Sequence, residues 1–275
     1  MHDLDKNLNE PFELTSEQIS YYQEHGYIKL KKVLDTETLD FFNKEITKEV
    51  VEKNPLLKKP MEERTAFEKA FIQITNLWKD NETVRKLILS KKLGKIAADL
   101  MQVEGVRLYH DQALYKEPAG SINNITPWHA DQFYWPLASD NTITAWIPLQ
   151  ETTKDMGPLA FSLGSQKYDF GRDLEISTES EAIIQSKLAD ANLELVDSGF
   201  DAGEISFHSG WTFHRAGPNV SDKTRAVMTI IYMEDGIKVS EFTRTPHLAD
   251  RDAFLPNLNP GDIAKTDLNP LIYKK

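Results

Sequence analysis

A change of texture near Gly105 constrains the fold of this chain more than any other feature. Before it, apolar residues recur at helical spacing between recognisable caps. After it come short β-prone runs cut by Gly, Pro, Asn and Asp. The candidate strands are 106–115, 142–149, 158–163, 203–208, 212–214 and 224–233. Helices first and strands afterwards argue against a doubly wound parallel sheet, and the sequence holds no glycine-rich phosphate loop. Regularly spaced short strands predict a sandwich or barrel. The expectation is one α+β domain over 1–275, with a helical N-terminal layer packed on a β core.

Residues 1–11 read as a loose arm. Thr15 and Gln18 have the spacing of a capping box, and Gly26 is a natural stop for the helix they open. Residues 27–33 read as a strand. Asp35 can cap a second helix whose apolar face holds Leu39, Phe42 and Ile46. The stretch 61–101 reads as strongly helical, with one stripe of Phe67, Phe71, Ile74 and Trp78 and another of Leu93, Ile96, Ala97 and Leu100. The chain is thus expected to be mainly helical over 12–104 and to carry its β-barrel core over 105–240. A polar insertion at 167–197, weakly helical over 179–188, is expected to cross the barrel mouth as a lid. Residues 241–275 are expected to form a C-terminal tail.

Charge and composition remove several classes of function. Acidic residues outnumber basic ones 43 to 32, for a net charge of −11 with no basic cluster, so a nucleic-acid partner is not expected. The chain has no cysteine, which removes disulfides, thiolate metal sites and cysteine nucleophiles together. The N-terminus lacks a basic start and apolar run, and no apolar stretch approaches the ~20 residues of a membrane span. The expected partner is a small-molecule substrate and the expected location is cytoplasmic, with no membrane association. Oligomeric state is not legible.

His129 and Asp131 flank a single residue. On a strand, positions i and i+2 share a face, so both donors can reach one ion. Two histidines and one carboxylate form the facial triad of mononuclear non-haem iron(II). The third ligand must come from elsewhere. His208 and His214 both end β-prone runs, and His214 is preferred because Arg225 follows it by eleven residues and the turn Gly217-Pro218-Asn219 lies between them. A buried guanidinium needs an anion, and its planar fork matches a carboxylate at two points, as a dicarboxylate co-substrate requires.

With those residues in place, the sequence resembles the phytanoyl-CoA dioxygenase family of Fe(II)/2-oxoglutarate-dependent oxygenases. The likeness runs through Glu24-His25-Gly26-Tyr27-Ile28, 107–116, 128–131, 146–148, 157–164 and 203–225. It implies a double-stranded β-helix, a jelly-roll barrel of the cupin type, with iron in its mouth. It implies His129, Asp131 and His214 as catalytic metal ligands, and Arg225 as the partner of the distal carboxylate of 2-oxoglutarate. Gln112, Trp146 and Lys116 match family positions beside the same co-substrate; a packed tryptophan and a rim lysine are the alternatives for the last two. Ala216 departs from the pattern, since some members carry a hydroxyl there that bonds the co-substrate. Members that halogenate lack the carboxylate ligand, which Asp131 here supplies.

The resemblance implies O2-dependent hydroxylation of an unactivated C–H bond, with release of succinate and CO2. Desaturation or epimerisation with the same cofactors is one alternative, and a non-catalytic cupin-like module that binds a metal or small ligand is another. The substrate is open among an acyl-CoA, a small zwitterion and a specialised metabolite. Trp128, Phe133, Tyr134, Trp135 and Trp211 either wall its pocket or pack in the core.

Overall fold

The computed structural model describes residues 4–56, 58–119 and 124–275, with the side chains of 66 and 67 outside that description. The helical layer comprises α1 (Leu4–Asn9), α2 (Ser16–His25), α3 (Thr36–Lys53), α4 (Ala66–Ala70), α5 (Leu77–Asp80), α6 (Glu82–Ile88) and α7 (Lys91–Met101). Strands β1 (Tyr27–Leu30) and β2 (Ile72–Thr75) interrupt it. The β core holds β3 (Gly105–Lys116), β4 (Thr126–His129), β5 (Thr142–Pro148), β6 (Leu159–Ser162), β7 (Leu195–Asp197), β8 (Ile205–Ser209), β9 (His214–Ala216) and β10 (Arg225–Glu234). Helix α8 (Thr178–Asp190) lies within the insertion; α9 (Thr245–Phe254) and β11 (Leu271–Lys274) close the chain.

Two antiparallel sheets form a double-stranded β-helix. The larger follows the order β1-β8-β5-β10-β3-β11, with β2 also paired to β3; the smaller follows β4-β9-β6-β7. Side-chain alternation gives the large sheet two different faces. Ile143, Ala145 and Ile147 of β5 and Met228, Ile230 and Tyr232 of β10 join Phe42, Leu93 and Ile96 in the core beneath the helices. The intervening residues, Thr144, Trp146, Arg225 and Thr229, line a cavity on the other face. One register therefore decides both the core and the site.

The local signals explain where elements begin. Thr15 Oγ1 accepts from the Gln18 amide at 3.2 Å, the Gln18 side chain accepts from the Thr15 amide at 2.9 Å, and Gly26 takes the left-handed conformation (φ 66°) that ends α2. The Asp35 carboxylate accepts from the Thr38 amide at 2.7 Å and opens α3.

Several expectations need correction. Leu4–Asn9 is a helix with Leu8 buried, so that part of the expected arm is packed; residues 1–3 lie outside the described residues. Residues 61–101 are not continuously helical, because 72–75 pair with β3 as a strand. Strand pairing there separates the expected stripe, with Phe71 between α4 and β2, Ile74 in β2 and Trp78 in α5, and Phe67 lies outside the described side chains. The C-terminal tail expected at 241–275 is part of the fold, since β11 extends the large sheet along β3 and α9 carries part of the cavity wall. Residues 212 and 213 precede β9 rather than belonging to it, and 31–33 lie beyond β1. No helix among the described residues is long and apolar enough to cross a membrane.

Candidate metal centre and its cavity

Strand pairing brings the two histidines together. His129 at the end of β4 stands directly opposite His214 at the start of β9, and their ring centroids lie 4.2 Å apart. Asp131 is not on β4, as the i, i+2 argument supposed. It opens a short 3-10 turn, because pairing with β9 stops at His129. Ala130 between them is still extended (φ −123°, ψ 130°), so the alternation carries Asp131 to the same side. Asp131 Oδ1 lies 3.7 Å from His129 Nε2 and 3.5 Å from His214 Nε2, and one ligand atom from each of the three residues falls within 4.8 Å of the others.

Protonation suits this group to a cation. His129 Nδ1 lies 2.8 Å from the Pro127 carbonyl and His214 Nδ1 lies 3.0 Å from that of Thr212. Each contact places the ring proton on Nδ1 and leaves Nε2 as a lone pair facing the centre. Burial pushes both imidazoles down to about 4, so they are neutral at physiological pH. Burial alone would raise the Asp131 carboxyl, but His214, His208 and His129 outweigh it and hold the group well below the usual carboxylate range. The second oxygen, Oδ2, accepts from Thr144 Oγ1 at 3.0 Å and from His208 Nε2 at 3.3 Å. His208 thus stands outside the group of three and contacts the carboxylate from behind.

The triad lies in the wall of a cavity of about 480 Å³. Arg225, 2% exposed, begins β10 at one end of it. Its guanidinium donates to the Gly157 carbonyl and lies 5.5 Å from the Trp146 ring centroid, while Nε has no partner among the described residues. Burial lowers the group to about 9, which still leaves it charged at neutral pH. Gly157 takes a left-handed backbone (φ 67°) hard against the Gly217 carbonyl, so only a residue without Cβ presents its own carbonyl to Arg225 there.

Of the residues matched to the co-substrate position, Gln112 and Trp146 line this cavity, as does Ala216. Gln112 also accepts from Gln73 Nε2. Lys116 is neither on the rim nor in the wall. It is buried opposite Arg225 in the β3–β10 register and donates to the Asn124 carbonyl. Burial, and then the Arg225 charge, lower its ammonium to about 6. Two buried basic groups thus adjoin one end of the cavity.

Tyr134 and Trp135 line the cavity. Trp128 packs instead with Phe213 and Ile184, Phe133 lies beneath Arg244, and Trp211 stacks on Arg172 with its Nε1 donating to Asp140 at 2.9 Å. The insertion is anchored: Ile184 and Leu188 of α8 are buried, and Glu181 accepts from both the Trp128 amide and Arg215. It contributes Glu175 and Ile176 to the cavity wall.

Nothing in the sequence marks Thr144 or the α9 residues as part of the site, and Gly157 enters only within the stretch 157–164 that carries the resemblance, with no role of its own. A threonine in a β-prone run carries no signal of the carboxylate it serves. The α9 residues were placed in a tail because their segment has no strong periodicity.

The phytanoyl-CoA dioxygenase family model matches residues 22–227. The chain is 26% identical over 231 residues to the probable alpha-ketoglutarate-dependent hypophosphite dioxygenase of Stutzerimonas stutzeri, covering 79% of this chain and 78% of that protein. It is 25% identical over 218 residues to the 1-deoxypentalenic acid 11-beta-hydroxylase of Streptomyces exfoliatus, covering 73% and 74%. Among solved structures, it is similar to the non-heme alpha ketoglutarate dependent carbocyclase SnoK from nogalamycin biosynthesis. The TM-score is 0.76 at 26% identity, over 96% of this chain and 99% of that one.

Proposed function

The chain belongs to the phytanoyl-CoA dioxygenase family, and from that premise we propose that His129, Asp131 and His214 hold iron(II) while Arg225 grips 2-oxoglutarate. The protein is an Fe(II)/2-oxoglutarate-dependent dioxygenase acting on a small molecule, and its reaction is hydroxylation of an unactivated C–H bond. Iron and 2-oxoglutarate held there would supply the oxidising power with O2, which would leave succinate and CO2.

The donor set fits the metal. Two neutral imidazoles present Nε2, and one ionised carboxylate presents a single oxygen while its other oxygen is tethered to Thr144 and His208. The basic end fits the co-substrate. A buried guanidinium with an unpartnered Nε is costly unless an anion joins it, and a carboxylate does so at two points. Arg225 thereby sets the orientation of the dicarboxylate, and the Trp146 ring beside it limits its lateral freedom. Leu159 and Leu114 give the same cavity apolar walls, which exclude water.

The observation that carries this reading is the convergence of three ligand atoms within 4.8 Å in the same cavity as Arg225. The experiment is anaerobic loading with iron(II) and 2-oxoglutarate, followed by O2 and quantification of succinate. Succinate formation that requires iron and disappears in His129→Ala supports the reading. Absence of succinate above the metal-free background, with folded protein, defeats it.

A further inference from the structure

The end of the cavity away from Arg225 is built by β3 and α9, and its chemistry is different. In the β3–β10 register His110 pairs with Ile231 and Leu108 with Tyr232, so Tyr109 is the extra residue of a bulge. The bulge sends two neighbouring side chains to one side: Tyr109 packs with Trp135, Ile231 and Phe254, while His110 stacks on Phe254 with ring centroids 4.0 Å apart. The Tyr109 hydroxyl donates to Asp250 of α9, and both His110 and Asp250 line the cavity. His110 is 4% exposed, and its Nδ1 has no partner among the described residues.

The charge inventory of the walls is lopsided. Arg225 is the sole lysine or arginine among the described lining residues. Once a metal takes Asp131 and the co-substrate takes Arg225, the acidic groups left for a substrate are two carboxyls, Asp250 inside and the exposed Glu175 at the wall from the insertion. Aromatic rings flank them: Trp135, Tyr134 and Phe254 line the same cavity. A carboxylate among aromatic faces is the chemistry that recognises an ammonium ion.

We propose that this cavity selects a small amine, with the cationic nitrogen of the substrate held by Asp250 among Trp135, Tyr134 and Phe254, and that it rejects molecules bearing acidic groups. The inference rests on the reading that Arg225 is taken by 2-oxoglutarate. Burial pushes the Asp250 carboxyl up to about 7, against the Tyr109 hydrogen bond, and an ammonium would restore the counter-charge that burial denies it. Anions such as hypophosphite, or the carboxylate of 1-deoxypentalenic acid, would meet Asp250 and Glu175 with no free cation in the described wall. An acyl-CoA fails on the same ground.

The test uses three probes of one shape: benzylamine, benzyl alcohol and benzoate. Iron(II) and 2-oxoglutarate are first bound to the full chain under anaerobic conditions and their binding measured by calorimetry. Failure at that step would refute the proposed function itself. Each probe is then titrated into the loaded protein. Benzylamine should bind at least ten-fold more tightly than benzyl alcohol, and benzoate should bind more weakly than either. In Asp250→Asn the preference for the amine should vanish while 2-oxoglutarate affinity stays unchanged. Benzoate binding as tightly as benzylamine, no binding by benzylamine, or an intact amine preference in a folded Asp250→Asn would each overturn the proposal. If that variant does not fold, the wild-type ranking alone decides.

Discussion

His208 Nε2 lies 3.3 Å from Oδ2 of Asp131, the carboxylate oxygen turned away from His129 and His214. The same oxygen accepts from Thr144 at 3.0 Å. Asp131 sits on a turn rather than on a strand, so backbone pairing does not fix its side chain. The two hydrogen bonds do so instead, and they leave Oδ1 as the oxygen available to a metal. His208 is positioned for this by β8, whose pairing with β5 sets His208 opposite Thr144.

His208→Ala should therefore weaken iron(II) binding without abolishing it, by about 10–100-fold, the usual cost of losing a partner behind a metal ligand. Anaerobic metal titration reads the change. An unaltered iron affinity would show that His208 does not orient Asp131.

Arg225→Ala should raise the dissociation constant for 2-oxoglutarate at least about thirty-fold, since removing one partner of a buried charge pair costs about 2–5 kcal/mol, and Arg225→Lys should recover only part of the loss because lysine lacks the two-point fork. Iron affinity should stay at the wild-type value. Calorimetry with iron-loaded protein separates the two effects, and an equal loss of both would mean that Arg225 supports the fold instead.

Asp111 gives a pH dependence of stability. It is fully buried and accepts from the Leu77 amide at 3.0 Å, yet burial raises its carboxyl to about 7. The folded state then keeps a proton between about pH 4 and 7 that the unfolded chain has released, so stability falls as pH rises through that window and levels off above it. In Asp111→Asn the fall should shrink by about 1–3 kcal/mol, following the ~1.4 kcal/mol per unit that links a shift to free energy. Urea unfolding of both proteins at pH 5 and pH 7.5 measures it; identical slopes would contradict the assignment.

Ligand linkage supplies a further check. Iron(II) at one hundred times its dissociation constant should stabilise the folded protein by about 2.7 kcal/mol and raise its Tm. Chelation should reverse the shift without unfolding the protein, because the large core lies beneath the helices on the other face of the main sheet. His129→Ala should show no iron-dependent shift.

The fold and the metal site were legible in the sequence to different depths. The order of helices and strands is carried by periodicity and caps such as Thr15–Gln18, and these appear where the spacing puts them. His129, Asp131 and His214 were legible through their spacing, their distance to Arg225 and the family resemblance, and the structure brings the three together. Strand β2 was not legible, because a run as short as Ile72–Thr75 has no period of its own and becomes a strand only by pairing with β3. Lys116 shares the cavity-facing side of β3 with Gln112 and Leu114, as alternation predicts, but its ammonium donates to the Asn124 carbonyl instead of lining the cavity, a partner that no local pattern states. The Tyr109 bulge and its bond to Asp250 join positions 141 residues apart, a relationship that only the folded chain contains.

The most direct test of the central claim is an anaerobic titration of 2-oxoglutarate into iron(II)-loaded and metal-free protein, followed by the visible charge-transfer absorption of the complex. One equivalent of 2-oxoglutarate should saturate the iron-loaded protein, with the band absent from both metal-free protein and His214→Ala. Saturation without a metal-dependent band, or the same band in His214→Ala, would contradict the assignment of this site.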